Sequence, residues 1–385
     1  MKIYKVNAYK ILLPFSLEFS HSLRKRYSAN NIIVEVIADH GKIKGYGEGA
    51  PRSYVTGESK ESATKSISHF LKKDSFPWEL NDVSQIWDFV DRLPNSKEHN
   101  SAICALEMSL LDALGKSQDI NIIEYFPKDF FTSTVYYGAT IPLANNRRIM
   151  EVCKLIKKMR INKLKLKMGK DFSINKEMIE MVNLVFGDDS DLKIDTNGAW
   201  DYDLALKHAL LIKEHKIKIV EQPMMPDDQD ISEFAGMMQA KGIILMADES
   251  ACSLKDVERI GKEGYYKMVN IRLSKCGGFR NSLKIINYLR KENLSFQIGC
   301  QLGESGILSA AGRALSLLCR DAVYHDGSYD QFLLKENITT EDVSFGPGGK
   351  AGHLAGPGLG VKINKENLLR LSKGSSILTI SHPLS

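Results

Sequence analysis

The sequence predicts an α/β barrel of eight parallel strands behind an N-terminal α+β domain, and three observations predict it. Apolar strand-like runs recur at Val135–Ile141, Leu164–Met168, Leu192–Asp195, Ile219–Glu221, Ile244–Ala247, Met268–Leu273, Phe296–Gly299 and Ala322–Tyr324. Their centres lie roughly 24 to 29 residues apart, about one βα unit. Helical stretches fill the gaps: Ile149, Val152, Leu155 and Ile156 share one face, as do Met178, Met181, Leu184 and Val185. The chain has 385 residues, too many for one small domain and suited to a barrel with an addition. An open doubly-wound sheet is the competing arrangement. It often carries a Gly-rich phosphate loop, and neither GxGxxG nor GxxxxGK[ST] occurs here.

Taken in order, residues 1 to about 60 read as strand, loop, strand, loop. Met1–Val6 opens on strand alternation, and Ile32–Ile37 is a strand that turns at Asp39-His40-Gly41. Phe19–Arg26 reads as a polar, basic loop, and the glycine-rich Gly45–Pro51 as a loop that cannot be regular. From about 60 to 120 the pattern turns helical. Ala102, Ala105, Leu106, Ser109, Leu110 and Ala113 give a helix with a small-residue face suited to close packing, which Gly115 would end. The expected division is an α+β domain over 1–125, the barrel over 126–345, and a Gly/Pro-rich segment over 346–385. That last segment ends in an extended run that could return to the first domain.

Bulk properties narrow the function. Hydrophobic content of 43% and charged content of 26% are those of an ordinary globular protein. Lys+Arg 52 against Asp+Glu 47 leaves a net +5, scattered along the chain, which argues against nucleic-acid or membrane partners. The six cysteines (Cys104, Cys153, Cys252, Cys276, Cys300, Cys319) form no CxxC pair and read as reduced thiols. No run approaches the roughly 18 apolar residues of a membrane span, and the N-terminus has no apolar signal core. A cytoplasmic location is expected.

In a barrel, chemistry sits where strands end at the C-terminal rim. The second strand, Lys163-Leu164-Lys165-Leu166-Lys167, alternates lysine with leucine, so its ammoniums share one face. A solvent-exposed edge strand would read the same way. The third strand ends Asp195-Thr196-Asn197-Gly198, the fourth Glu221-Gln222-Pro223, and the fifth Asp248-Glu249-Ser250. The sixth ends at Arg272, followed by Lys275 and Gly277-Gly278. The seventh leads to Gln301 and Glu304, and the eighth to His325, Asp326 and Asp330. Any one of these acids alone reads equally well as a helix cap. Three on successive strands repel, and would take up protons unless a cation sits among them. Oxygen-only donors favour a hard ion, Mg²⁺ best, with sites left for water and substrate. The lysines then make sense as bases, their pKa values lowered by neighbouring ammoniums and the metal. A Mg²⁺ with a lysine base suits removal of a proton next to a carboxylate.

These residues resemble the enolase superfamily, in its muconate-lactonising-enzyme subgroup, which includes dipeptide epimerases. The resemblance spans Gly45–Glu58, the Ser101–Lys116 helix, the Lys-Leu-Lys stretch, Asp195-x-Asn197, Glu221-Gln222-Pro223, Ala247–Ser250, Lys275-x-Gly277-Gly278 and Gly356–Gly360. It implies a (β/α)7β modified TIM barrel whose mouth is covered by an α+β capping domain built from the N-terminal region and the C-terminal segment. It also implies one Mg²⁺ per active site, held by Asp195, Glu221 and Asp248, with Lys167 as base and Lys165 neutralising the substrate carboxylate. Thr140 matches a threonine that contacts ligand in Ala-Glu epimerases, and Arg24 an arginine near the substrate's side-chain carboxylate. Asn197, Glu304, Asp326 and Asp330 complete the expected substrate contacts.

Two departures stand out. Where these epimerases carry a second lysine on the sixth strand, this chain has Arg272, a poor base because its pKa exceeds about 12. Two-base chemistry would need Lys275 to reach inward, water to deliver the second proton, or Arg272 to act as an unusual acid. Their Asp-x-Asp on the eighth strand is here His325-Asp326-Gly327-Ser328-Tyr329-Asp330. Three readings follow. The first is epimerisation of a dipeptide such as L-Ala-L-Glu, or of an N-acyl amino acid, by a homo-oligomer. The second is one-base cycloisomerisation or syn-elimination. The third is a degenerate barrel that binds a carboxylate without turnover.

Overall fold

The structure, a computed structural model, describes residues 1–21, 24–187 and 190–382, and of residues 17–21, 24 and 25 the backbone alone. Eight parallel strands lie side by side in chain order: Ala139–Ile141, Lys163–Lys167, Asp191–Asp195, Ile219–Glu221, Ile244–Ala247, Met268–Ile271, Ser295–Ile298 and Tyr324–His325. The two edges meet where the Gly138 N–H donates to the His325 carbonyl at 2.8 Å. That closure makes a barrel and excludes the open sheet. A helix follows each of the first seven strands, giving the (β/α)7β order. Side-chain oxygens at the first turn start several of them: Asn145 accepts the Arg148 N–H, Asp171 that of Ile174, Asp201 that of Leu204 and Ser253 that of Asp256. On the second strand Leu164 and Leu166 are buried among the helices, while Lys165 and Lys167 point into the barrel mouth. Alternation at period two decides which residues reach the site.

Several sequence expectations are corrected. Val135–Ile141 is not one strand. Thr134–Tyr136 pairs antiparallel with Lys350–Gly352, and only Ala139–Ile141 joins the barrel. The sixth ladder ends at Ile271, and Leu273 begins a short helix, Leu273–Cys276. Leu184 is 80% exposed rather than on the buried face with Met178. Phe19–Arg26 is no loop around its described residues. Strands Ile3–His21 and Arg24–Ala38 run to a tight ribbon, with Phe19 opposite Arg26 and His21 opposite Arg24. Backbone pairing across two strands does not depend on the polarity of their side chains.

The glycine-rich stretch is the most informative correction. Ile43–Gly49 is a regular strand, paired antiparallel along Ile32–Ala38. Its glycines alternate on one face because helix Asn100–Gln118 lies directly against it. A Cβ on Gly45 would stand 2.2 Å from the Ser109 carbonyl oxygen, one on Gly47 2.0 Å from that of Ala105, and one on Gly49 2.2 Å from that of Ser101. The small-residue face of the helix is the other half of this contact. Gly115 does not end the helix, which runs to Gln118; it lets Gly358 approach, since a Cβ there would lie 2.8 Å from the Gly358 Cα. Gly47→Ala is therefore expected to cost about 3 kcal/mol of stability through backbone displacement. Urea unfolding of the two proteins measures it.

The C-terminal strand Leu378–Ser381 adds to the edge of the N-terminal sheet, pairing Lys5 with Ser381 and Ala8 with Leu378. Buried polar contacts hold this sheet over the barrel rim. Glu48 accepts the Ser305 N–H (3.0 Å), the Ser305 hydroxyl (2.6 Å) and the Leu308 N–H (3.0 Å) at the start of a barrel helix. The Ala50 N–H donates to Ser274 Oγ at 2.8 Å, and Arg52 donates to the Leu302 carbonyl at 2.6 Å.

Candidate active site

The rim side chains named from the sequence converge on one cavity of about 920 Å³. Lys165, Lys167, Asn197, Arg272, Gln301, Glu304 and Asp326 line its floor, with Thr140, Tyr329 and Asp330 on one wall. Asp195, Glu221 and Asp248 are wholly buried just beneath. Asp195 and Glu221 are direct partners in the parallel ladder, so two carboxylates stand side by side by register alone. Asp248 follows the fifth strand, where Gln222 fixes it: Gln222 Oε1 accepts the N–H of Asp248 at 3.0 Å and of Ser250 at 3.1 Å. Gln222 and Asn197 both adopt left-handed backbone, φ 39° and 49°, at the ends of their strands. Strained residues of this kind concentrate at functional sites.

Cations interleave with the carboxylates. Lys167 Nζ is 2.5 Å from Asp195 Oδ2 and donates to Asn197 Oδ1 at 2.8 Å; Asn197 in turn donates to Glu249 Oε1 at 3.0 Å. Lys165 Nζ is 2.8 Å from Asp326 Oδ2, 3.5 Å from Glu221 Oε2 and 3.9 Å from Asp195 Oδ2. Arg272 bonds Asp248 Oδ2, lies 3.6 Å from Glu221 Oε1 and donates to Gln301 Oε1 at 3.1 Å. Lys275 is wholly buried behind the rim. Its Nζ donates to the Asp248 carbonyl (2.8 Å), Asp248 Oδ1 (3.0 Å) and the Asn270 carbonyl (2.6 Å), and it does not line the cavity. With all three donors committed it braces Asp248.

The electrostatics differ from expectation at one lysine. Burial pulls the Lys165 ammonium down, but Asp326, Glu221 and Asp195 outweigh burial and hold it well above its ordinary value. Burial and Asp195 push the Glu221 carboxyl up, whereas Arg272 and Lys275 overcome burial at Asp248 and hold it low. Arg24 belongs to the residues of which only backbone is described, so its side chain falls outside the described residues. Thr140 is the ladder partner of Lys165. Glu304 accepts the Gln301 N–H at 2.5 Å, and burial raises its carboxyl to about 8. Asp330 accepts from Asn337 Nδ2 at 2.6 Å.

Sequence reasoning missed Lys193 and Asn270, and named Gln222 only as part of a motif, without its role of fixing Asp248. Lys193 Nζ lies 3.0 Å from Asp326 Oδ2 and donates to Gln297 at 2.5 Å, forming a second tier under Lys165. Asn270 donates to Glu221 Oε1 at 2.6 Å. The signal for Lys193 was present, because it stands two residues before Asp195 on the same strand and so shares its face.

Residues 148–367 match the family model described as enolase C-terminal domain-like. The chain belongs to this family. It is a member of the enolase superfamily and an isomerase of that superfamily. A hydrophobic dipeptide epimerase of Enterococcus faecalis is 25% identical over 389 residues, covering 99% of this chain and 100% of the relative. The solved N-succinyl Arg/Lys racemase of Bacillus cereus superposes with a TM-score of 0.85 at 25% identity, covering 99% of this chain and 100% of that one. A muconate lactonizing enzyme from Pseudomonas fluorescens, solved with muconolactone, shares the fold at a TM-score of 0.83 and 20% identity, covering 96% and 99%.

Members of this superfamily solved with Mg, such as the dipeptide epimerase of Enterococcus faecalis (TM-score 0.80, 24% identity, covering 94% and 100%), raise the question whether this chain's donors suit a metal. Among the described residues no three His, Cys, Asp or Glu side chains are arranged as a ready metal cluster. Arg272 and Lys165 stand among the carboxylates instead. The donor chemistry nonetheless fits a hard cation: three oxygen-only groups at adjacent strand ends, with Glu221 Oε2 buried and accepting no hydrogen bond.

This enolase-superfamily barrel also carries an acid-sensitive group at its seam. Burial, with Lys163 adding to it, pushes the His325 imidazole down to about 4. An unfolded histidine titrates near 6.5, so below that pH the unfolded chain takes up a proton that the folded chain refuses. Stability is therefore full above about pH 6.5 and falls as pH drops toward 4, by about 3 kcal/mol in all. His325→Gln is expected to flatten that decline, read by urea unfolding at pH 7 and 4.5.

Proposed function

We propose that this protein is a Mg²⁺-dependent enzyme that removes the proton α to the carboxylate of an N-acylated amino acid or dipeptide and epimerises that carbon. The observation that carries this reading is the placement of Lys167. Its amine faces the cavity while its nitrogen lies 2.5 Å from Asp195, one of the three rim carboxylates. The epimerase and racemase named among the relatives act on substrates of this class.

Asp195, Glu221 and Asp248 would hold the Mg²⁺, which would supply positive charge to the substrate carboxylate as its α-carbon becomes acidic. Lys165, on the same strand face as Lys167, binds and orients that carboxylate. Lys167 takes the proton: the Cα–H bond breaks, its electron pair moves into the carboxylate as an enediolate, and the new N–H bond forms at Nζ. Asn197 holds the Lys167 nitrogen in line, and Glu249 orients Asn197. Reprotonation of the α-carbon from the other face by a water molecule gives the epimer, and Lys167 returns its proton to solvent. All six cysteines are free thiols, which suits the cytoplasm.

Arg272 favours a second reading, one-base cycloisomerisation or syn-elimination, because it stands where two-base chemistry needs a proton donor of lower pKa. The test is incubation of a panel of dipeptides and N-acyl amino acids in D₂O with Mg²⁺ or with EDTA, followed by NMR. Deuterium at the α-position with inverted product, dependent on Mg²⁺, is the expected result. Exchange without inversion gives the one-base reading, and a panel that never exchanges overturns both.

A further inference from the structure

We propose that the substrate is a carboxylate with an uncharged, acylated nitrogen, and that its apolar acyl chain lies in a side wing of the cavity beside the first barrel helix, Asn146–Lys158. The proposal deepens the functional reading above and rests on it for the identity of the reacting end.

The cavity lining carries five cations, Arg148, Lys165, Lys167, Lys170 and Arg272, against four acids, so it favours an anion. A free dipeptide also carries an ammonium, which needs an ionised carboxylate with room beside it. Four acids line the cavity, and each already pairs with a cation or accepts a hydrogen bond at one oxygen or more. Asp326 is shared by Lys165 at 2.8 Å and Lys193 at 3.0 Å. Asp171 accepts the Ile174 N–H at 3.1 Å and starts its helix. Glu304 accepts the Gln301 N–H, and burial favours its uncharged form. Asp330 accepts Asn337 Nδ2 at Oδ2 while its Oδ1 is buried and accepts no hydrogen bond, and burial pushes the carboxyl upward, against the ionised form an ammonium needs. An amide nitrogen carries no charge, so it needs a hydrogen-bond acceptor but no ionised partner.

Much of the remaining lining is apolar, interrupted by polar side chains such as Asn145, Arg148 and Lys170. The side wing is the part of the cavity lined by Val152, Leu155 and Ile156 of the first barrel helix, Met159 at its C-terminal cap, and Phe332 and Phe345 of the segment after the eighth strand. Leu155 is 52% exposed and Phe332 44% exposed, two large apolar side chains that border the same cavity. Single exposed apolar residues carry no message, but a largely apolar wall running into a cationic floor is the surface an amphiphilic carboxylate covers. A cavity of about 920 Å³ also exceeds what an amino acid alone fills.

The experiment compares three ligands that share the reacting residue: N-hexanoyl-L-leucine, N-acetyl-L-leucine and L-Ala-L-Leu. In D₂O with Mg²⁺, the hexanoyl compound should exchange with a kcat/KM about tenfold above either other compound, mostly through KM, as expected for a few buried methylenes. Leu155→Asp and Phe332→Ser, both at partly exposed positions, should each bring the hexanoyl-to-acetyl ratio toward one. Calorimetric titration of the same ligands reads the wing without turnover and should give the same order of Kd. Equal kcat/KM and Kd across the three, or a ratio that neither variant moves, overturns the proposal. Absence of exchange in all three with the tenfold Kd preference intact would remove the proton-transfer reading and leave the wing standing.

Discussion

Replacing Lys167 by alanine is expected to lower α-proton exchange by at least about 10³-fold, within the range a positioned general base contributes. No other amine can take over. Lys165 is held in its charged form by Asp326, Glu221 and Asp195, and Lys275 spends its donors on Asp248 and Asn270. The same substitution has a second consequence, at the carboxylate that Lys167 pairs with. Asp195 is fully buried and loses a cation at 2.5 Å, which leaves a buried carboxylate without its nearest partner. Lys167→Ala should therefore melt at a lower temperature in EDTA and recover in Mg²⁺. It should also bind Mg²⁺ more tightly than the parent chain, because an ammonium no longer competes for Asp195. Exchange followed by NMR, melting with and without Mg²⁺, and calorimetric titration of the metal separate these effects. Unimpaired exchange would dismiss Lys167 as the base, and weaker Mg²⁺ binding would show that the ammonium does not compete for the carboxylate.

The barrel was legible because its signal is periodic: each strand is a short apolar run, and each rim residue follows from where the run stops. Asp195, Glu221 and Asp248 needed only that rule, and Asp195 and Glu221 do face one another in the ladder. The N-terminal sheet was less legible for physical reasons. Gly45, Gly47 and Gly49 look like turn residues, yet their spacing of two is a strand face stripped of side chains so that a helix can touch its backbone. That contact is set by residues 101 to 113, far away in sequence. Lys275 shows a different limit. Its residue type and place beside a double glycine suit a reactive amine, and only packing shows that it lies behind Asp248 with its donors satisfied. Lys193 was overlooked although its strand announces it, because the eye stops at the rim and the second tier lies one pleat below.

Arg272→Lys is expected to change the stereochemical course rather than merely the rate. The guanidinium bonds Asp248, approaches Glu221 at 3.6 Å and reaches Gln301 at 3.1 Å with its other nitrogen. Burial lowers its pKa, but Asp248 and Glu221 outweigh burial and hold it well above the ordinary arginine value, so it gives up no proton at neutral pH. A lysine there cannot span Asp248 and Gln301 at once. Its amine, with an ordinary pKa near 10.4, exchanges protons where arginine does not. In the variant, both faces of the substrate α-carbon would have an amine. Where the parent chain already inverts its substrate, inversion should rise by about 10²-fold relative to exchange, the contribution of one added proton donor. Where the parent only exchanges on the Lys167 face, inverted product should appear for the first time while exchange stays within a few-fold. A variant whose exchange-to-inversion ratio in D₂O equals that of the parent would show that Arg272 does not govern the far face. The second proton would then have to come from water, along a path this side chain does not control.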